Sequence, residues 1–204
     1  MRTFLCVAPC LVFQVWAADP PQPGQLANTM QAAPLSVRGK FKAEVVNSLG
    51  FRGLLGVAIG SSISQGTNTP GEWGQGWDAY GTRFASSLGG SLSHQTFAFV
   101  LESAMHEDPR YFPSTEHSKK ARIWSAVKQI FITRTDSGGS SFAYASVISA
   151  FGAGQLVNTW QPASTSGVSD GIERAFISLG LDAASNLSQE FIPRLRPRQL
   201  RRKP

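Results

Sequence analysis

The chain has 204 residues, with 19 basic and 13 acidic side chains and a formal net charge of +6. Both of its cysteines, Cys6 and Cys10, lie within the first 17 residues. The remainder of the chain therefore has no disulfide, and it has no thiolate for a cysteine nucleophile, a zinc–thiolate site or an iron–sulfur cluster.

Residues 1–17 have the pattern of a secretory signal peptide. The basic Arg2 precedes an apolar run, and Val15 and Ala17 occupy the positions at which signal peptidase recognises small residues. We therefore expect cleavage after Ala17 and export to the periplasm or to an outer-membrane-associated location. The alternative is an uncleaved anchor, although the apolar run is shorter than the ~20 residues that a membrane span requires.

The segments at the two ends of the exported chain differ from its body in composition. Residues 18–35 are rich in Pro, Gln and Ala, which predicts a flexible leader. Residues 194–204 predict a disordered basic tail, which has no acidic residue. The tail could bind an anionic membrane surface or could simply be a solubilising end. Because the body is almost neutral and the chain is predicted to be exported, we expect no nucleic-acid partner.

Residues 40–64 show the apolar periodicity of a first helix. Four glycines, Gly50, Gly53, Gly56 and Gly60, lie on one stripe of that helix. Since glycine in a helix interior costs about 1 kcal/mol relative to alanine, the stripe indicates close packing against another helix. The alternative is a helix that stops near Gly50 and then resumes.

A second helix is predicted to begin at about Trp77 and to end at Asp108, because Pro109 disfavours helical backbone in the residue before it. Its aromatic and aliphatic stripe predicts a packed core face. Tryptophan and tyrosine at one end of the helix would also suit a membrane–water interface. The stripe consists of Trp73, Trp77, Tyr80, Phe84, Leu88, Leu92, Phe99, Leu101 and Met105.

Three further segments follow in chain order. Residues 119–132 predict a short amphipathic helix, and residues 133–141 predict a polar connection ending in a serine that caps the next helix. Residues 142–160 are predicted to form that next helix, which lies within an uncharged stretch of the chain. Because polar residues interrupt its apolar sequence, we favour a helix buried in a soluble bundle over one that spans a membrane. The inward residues of the short helix are predicted to be Ile123, Trp124, Val127, Ile130 and Phe131.

The last helix is predicted to follow a capping box at Asp170 and Glu173. Its apolar stripe consists of Ile172, Phe176, Leu179, Ala183, Leu187 and Phe191. Because no segment alternates in the manner of a strand, residues 36–193 are predicted to form an all-α domain: a compact bundle of about five helices with Gly/Ala-rich packing faces.

Charged residues near the end of the second predicted helix are candidates for catalysis. Glu102 and His106 are four residues apart on one helical face, and Asp108 follows, so an imidazole base could have a carboxylate partner. Arg110 is a candidate for binding an anion. The alternative is that these residues only close the helix. No HExxH motif is present, and we expect neither a metal nor a cofactor.

A second polar cluster precedes the dipeptide Gly138-Gly139. Arg134, Asp136 and Ser137 are candidates for binding an anion, because the amides of a glycine turn at a helix start can hold one. The spacing of a nucleotide-binding loop is absent, and a simple loop before a capped helix is the alternative.

The two clusters also carry a resemblance. The strings HEDPRYF (106–112) and ITRTDSG (132–138) resemble those of an uncharacterised family of exported bacterial cell-envelope proteins, over residues 74–193. The resemblance implies a bacterial source and an exported location, and it implies no activity.

Two hypotheses for the function follow. The first is a non-enzymatic, membrane- or envelope-associated helical domain, indicated by export, small-residue helices and the basic tail. The alternative is a hydrolase acting on lipid or cell-wall material, with His106 as base and Glu102 or Asp108 as its partner. The hydrolase requires both charged clusters to converge on one concave site.

Overall fold

The computed structural model describes residues 33–192. The predicted signal peptide, nearly all of the predicted leader and the basic tail lie outside the described residues. Residues 33–192 form six α-helices and one small three-stranded sheet.

The chain enters the bundle through two helices, α1 (Val37–Leu49) and α2 (Phe51–Gly66), separated only by Gly50. The hydroxyl of Ser36 caps α1 by accepting a hydrogen bond from the amide of Gly39 at 3.2 Å. Gly50 has extended backbone, so the single helix predicted for residues 40–64 is wrong and the interrupted helix is confirmed. A Cβ at Gly50 would lie 2.3 Å from the carbonyl oxygen of Val46, which explains the need for glycine at the break.

The glycine stripe does not serve helix packing as predicted. A Cβ at Gly56 or Gly60 would meet no atom within 4 Å, and one at Gly53 would meet only the backbone of α1 near the break. Two of the four glycines therefore face open space, and the other two belong to the interruption.

The longest helix, α3 (Trp77–Met105), ends three residues before the predicted boundary. His106 closes it in the left-handed conformation, with φ of 58°. Glu107–Asp108 then forms strand β1 rather than a last helical turn. The backbone groups of β1 form hydrogen bonds with a strand that is distant in sequence. Local periodicity cannot predict such a long-range pairing.

The next helix is shorter than predicted, and a hairpin follows it. Helix α4 (Lys119–Lys128) is followed by β2 (Ile132–Thr135) and β3 (Ser140–Phe142). The strands are antiparallel in the order β1-β2-β3, with Gly138 in the left-handed region at the turn. The polar connection predicted for residues 133–141 is thus a hairpin, and Ser141 lies in a strand rather than at a helix cap.

Two helices complete the bundle, α5 (Tyr144–Val157) and α6 (Val168–Phe191). Asp170 caps α6 by accepting a hydrogen bond from the amide of Gly167 at 2.8 Å, so the helix begins two residues before the predicted capping box. Helices α1 and α2 pack against α3, and α3 also packs against α5. Helix α6 packs against both α5 and α4.

The packing between α5 and α6 depends on small residues. A Cβ at Gly154 would lie 2.2 Å from the carbonyl oxygen of Gly171, so the two backbones are in direct contact. Ala150 and Ala175 are fully buried in the core beside Ile130 and Leu179. The predicted fold class, a helical bundle with Gly/Ala-rich faces, is confirmed, with the small sheet as an addition.

The predicted inward face is wrong for α3 and only partly right for α4 and α6, since Ile130 and Leu179 are buried in the core as predicted. On α3, Trp77 is 88% exposed, whereas the buried positions are Ala79, Arg83, His94, Ala98 and Glu102. On α4, Trp124 is 68% exposed. On α6, Phe176 is 63% exposed, and the buried face includes Gln189 and Glu190. The prediction assumed that the large apolar side chains point inward, and this fold follows that rule at only some positions.

Candidate functional site

The two charged clusters predicted from the sequence lie side by side. Strand β1 pairs with β2 in a register that places Glu107 opposite Thr135 and Asp108 opposite Arg134. The amide of Asp136 donates to the carbonyl of His106 at 2.8 Å. Strand pairing therefore joins residues that are 26 and 28 positions apart in sequence.

A buried lysine, which the sequence analysis did not single out, connects these segments to α1. The ammonium group of Lys40 donates to the carbonyls of Glu102 at 3.0 Å and Glu107 at 2.7 Å and to a carboxylate oxygen of Asp136 at 2.8 Å. Lys40 is only 2% exposed. It begins a series of polar residues at four-residue spacing, Lys40, Glu44 and Ser48, and that spacing is the signal that could have found it.

The other predicted site residues are held in separate contacts. Asp108 and Arg110 form a buried ion pair at 2.5 Å. The guanidinium of Arg134 lies 4.1 Å from the centre of the Phe112 ring, which Arg110 also overlies. These two arginines therefore sit over an aromatic ring beside a paired carboxylate, in an arrangement that cation–π contacts stabilise.

His106 and Ser137 lie at the exposed edge of this cluster. The Nδ1 atom of His106 is 3.6 Å from a carboxylate oxygen of Asp136, and the imidazole is mostly exposed. The hydroxyl of Ser137 is 2.9 Å from that of Thr135. Asp136 is thus shared between a buried lysine and an exposed histidine, while Asp108 belongs to Arg110.

Glu102 faces the bundle interior, where it lies near other acidic groups. Burial, with repulsion from Glu44, raises the pKa of Glu102 to about 10, although Lys40 opposes the shift. Burial likewise raises the pKa of Glu44 to about 8 and raises that of Asp182, which His94 partly offsets. Glu44 and Glu102 are therefore neutral for the most part at pH 7.

Two more charged side chains are buried elsewhere in the bundle. Arg83 donates to the carbonyls of Thr69, Gly74 and Pro70 and to the side chain of Gln65. Glu190 accepts hydrogen bonds from Tyr111 at 2.7 Å and Arg122 at 2.6 Å. Arg83, Lys40 and Glu190 are the largest of the described side chains with under 2% exposure. The interior of this bundle is consequently unusually polar.

The outer surface has the opposite character. Large apolar side chains are exposed on five helices, α1, α2, α3, α5 and α6. Charged side chains show the reverse in two parts of the chain: every Asp, Glu, Lys and Arg between residues 43 and 71, and between residues 79 and 105, is buried or half-buried. We call the exposed apolar set the apolar perimeter. On α1 and α2 it comprises Val37, Phe41, Val45, Val46, Leu49, Phe51, Leu54, Leu55, Ile59 and Ile63; on α3, Leu92, Phe97, Val100 and Met105; on α5 and α6, Ile148, Leu156, Ile172, Phe176, Ile177 and Leu181.

Residues 33–192 contain neither a metal site nor a membrane-spanning helix. No three His, Cys, Asp or Glu side chains in that part of the chain are placed to hold a metal ion. Among the helices formed there, none is both long enough and apolar enough to cross a membrane.

The structure therefore offers two features for function, the buried charged cluster and the apolar perimeter. No protein-family model, curated protein or solved structure matches the chain.

Proposed function

We propose that this protein is a non-enzymatic domain of the bacterial cell envelope that associates with membrane lipid through its apolar perimeter. The observation that carries the proposal is the distribution of polarity: charged side chains are buried among mostly small apolar residues, while many large apolar side chains face outward. Isolated exposed apolar residues are ordinary, but contiguous ones mark an interaction surface.

Lipid fits this surface better than a second protein chain does. A second copy would cover one side of the bundle, whereas exposed apolar residues occur on five of its helices, for example at Ile59 on α2, Ile148 on α5 and Phe176 on α6. Acyl chains can surround such a perimeter without needing a complementary shape. Lipid is therefore the occupant that accounts for all of these faces together.

The ends of the bundle also support lipid contact. Exposed charges are found at the start of α1, in and before α4, and near the starts of α3 and α6. Trp77 is exposed at the start of α3, and Trp160 donates a hydrogen bond at 3.0 Å to Ser86, which lies nine residues farther along that helix. Tryptophan and charged residues that flank an apolar band are typical of proteins at a membrane–water interface.

The predicted export signal and basic tail belong to the same proposal. The signal peptide would deliver the chain to the envelope. The tail at residues 194–203 would add attraction to anionic lipid, at about 1 kcal/mol for each basic residue near the surface. The proposed location is the periplasm or the periplasmic face of the outer membrane.

The contacts of the charged cluster favour a structural role over hydrolysis. The carboxylate of Asp108 is paired with Arg110, and that of Asp136 with Lys40. A hydrolase would need a base oriented by a carboxylate beside bound substrate. The separate ion pairs instead hold α1, the end of α3 and the sheet together.

Flotation with neutral phosphatidylcholine vesicles tests the proposal. We expect the chain from Ala18 onward to float with the vesicles, and the double variant Ile59→Gln, Phe176→Gln to bind more weakly. Each side chain is about half exposed, so its transfer to lipid contributes about 1 kcal/mol. The loss of both should reduce partitioning roughly tenfold or more.

The matched control is the double variant Ser62→Gln, Ser169→Gln, which changes exposed polar positions on the same two helices. It should float like the parent chain. Equal flotation of the two double variants, or failure of the parent chain to bind neutral vesicles, would show that the perimeter does not contact lipid.

A further inference from the structure

Three carboxyl groups and one imidazole from α1, α3 and α6 influence one another electrostatically inside the bundle. Glu44 from α1 interacts electrostatically with Glu102 from α3 and with Asp182 from α6, and His94 from α3 lies close enough to Asp182 to influence it. Glu44, Glu102 and His94 are each more than nine-tenths buried. The three carboxyls therefore form one cluster inside the bundle, which we call the acid cluster.

The acid cluster lacks hydrogen-bond donors. Glu44 accepts one long hydrogen bond from the Asn47 amide at 3.4 Å. The Oε2 atom of Glu102 and the Nε2 atom of His94 are buried without a partner among the described residues, although His94 Nδ1 is 3.0 Å from the hydroxyl of Ser178. A buried carboxylate with so few donors would be costly, because burial strongly disfavours the charged form.

The neighbouring cation does not neutralise the acid cluster. All three hydrogen bonds of Lys40 go elsewhere, to two carbonyls and to Asp136. Arg52, on α2, is itself short of partners, since its Nη1 atom is buried without one among the described residues and burial lowers its pKa.

The neighbouring acids are already compensated. Glu107 accepts hydrogen bonds from the amides of Tyr144 and Ala145 at the start of α5, and Asp108 is paired with Arg110. The hydrogen-bond donors of Lys40, Arg110 and the start of α5 are thus all directed at acceptors other than the side chains of the acid cluster. Protons are the remaining means by which its charge can be removed.

We propose that Glu44, Glu102 and Asp182 form a proton-binding site that locks α1 onto the bundle, so that alkaline pH releases the helix. In the neutral form the acids are buried without mutual repulsion. Loss of their protons places like charges on α1 and on α3, which packs against it, and on α6. The proposal does not depend on lipid binding.

The sign of the pH dependence follows from the raised pKa values. Burial raises the pKa of Glu44 from 4.5 to about 8 and that of Glu102 from 4.5 to about 10, so the docked state holds more protons than the released state above pH 4.5. Release therefore becomes more favourable as pH rises. Each such carboxyl increases the release equilibrium by roughly tenfold per pH unit until its own folded pKa is reached.

Trypsin cleavage can report the release of α1. Lys40 is a trypsin site that is almost completely buried, and it becomes accessible only when α1 leaves the bundle. Lys120, which is exposed at the start of α4, serves as an internal reference for the activity of trypsin at each pH. The chain from Ala18 onward, in detergent solution without lipid, is digested at pH 7 and pH 9.

We expect the rate of cleavage after Lys40, relative to that after Lys120, to rise roughly tenfold or more between pH 7 and pH 9. In the variant Glu44→Gln, Glu102→Gln the rise should be clearly smaller than in the parent chain, because two of the three ionisable carboxyls have been removed. Glu173→Gln, an exposed change on α6, should behave like the parent chain.

A constant ratio in the parent chain, or an undiminished rise in the double variant, would overturn the proposal. If the double variant does not fold, urea unfolding of the parent chain at pH 5, 6.5 and 8 replaces it. A midpoint that falls steadily with pH supports the proton-binding site. A midpoint that is constant or rises contradicts it.

Discussion

At the scale of single residues, the fold depends on Lys40 more than on any apolar side chain of α1. Its ammonium group joins three backbone or side-chain acceptors from α3, β1 and the start of the hairpin turn. Leaving buried carbonyl acceptors and a carboxylate without a partner costs more free energy than the ion pair itself contributes to stability. The exposed apolar residues of α1, such as Phe41, make no comparable connection to the sheet end of the molecule.

Replacement of Lys40 by methionine therefore has a large predicted effect. Methionine keeps much of the side-chain volume but removes the charge, so Asp136 loses its buried partner. We expect Lys40→Met to lower the free energy of unfolding by about 3–5 kcal/mol. Lys42→Met, an exposed change two residues along the same helix, should alter it by no more than about 0.5 kcal/mol. Chemical denaturation of both variants measures the difference, and equal stability would show that the Lys40 contacts contribute little.

At the scale of helices and strands, the existence of most helices was predictable but their orientation was not. The periodicity of residues 170–191 indicated α6 correctly, yet Phe176 faces outward and Glu190 is buried. Periodicity shows that two faces differ and does not show which one is inside. Strand pairing joins Asp108 to Arg134 across the sheet, so neither the sheet nor the closeness of the two charged clusters could be read from local sequence.

The contact between α5 and α6 gives a test at this scale. A Cβ at Gly154 would collide with the backbone of Gly171, whereas one at Gly152 on the same helix would make an ordinary contact at 3.5 Å with Phe97. We expect Gly154→Ala to destabilise the fold by about 1–3 kcal/mol through overpacking. Gly152→Ala should stabilise it by up to about 1 kcal/mol, because alanine favours helix. Thermal unfolding compares the two, and a neutral Gly154→Ala would mean that the helices are not in close contact.

At the scale of the whole molecule, the distribution of charged and apolar side chains links the interior to the surface. Lys40, Arg83 and Glu190 are fully buried and paired, and the outward faces of the helices are apolar. A chain in water gains free energy by burying its apolar surface, so this distribution is unfavourable unless something apolar covers the perimeter. Contact with lipid would explain why large apolar side chains face outward. The pairing of the buried charged groups explains how they are tolerated in the interior.

Spin labelling tests lipid contact most directly, because the chain from Ala18 onward has no cysteine and a single label can be placed at will. Labels at Ile59→Cys on α2 and Phe176→Cys on α6 are examined on vesicle-bound protein by collision with oxygen, which concentrates in lipid, and with a water-soluble nickel complex. Lipid contact predicts that both labels collide with oxygen and not with nickel. Access of nickel to either label, or shielding of either label from both reagents, would contradict it.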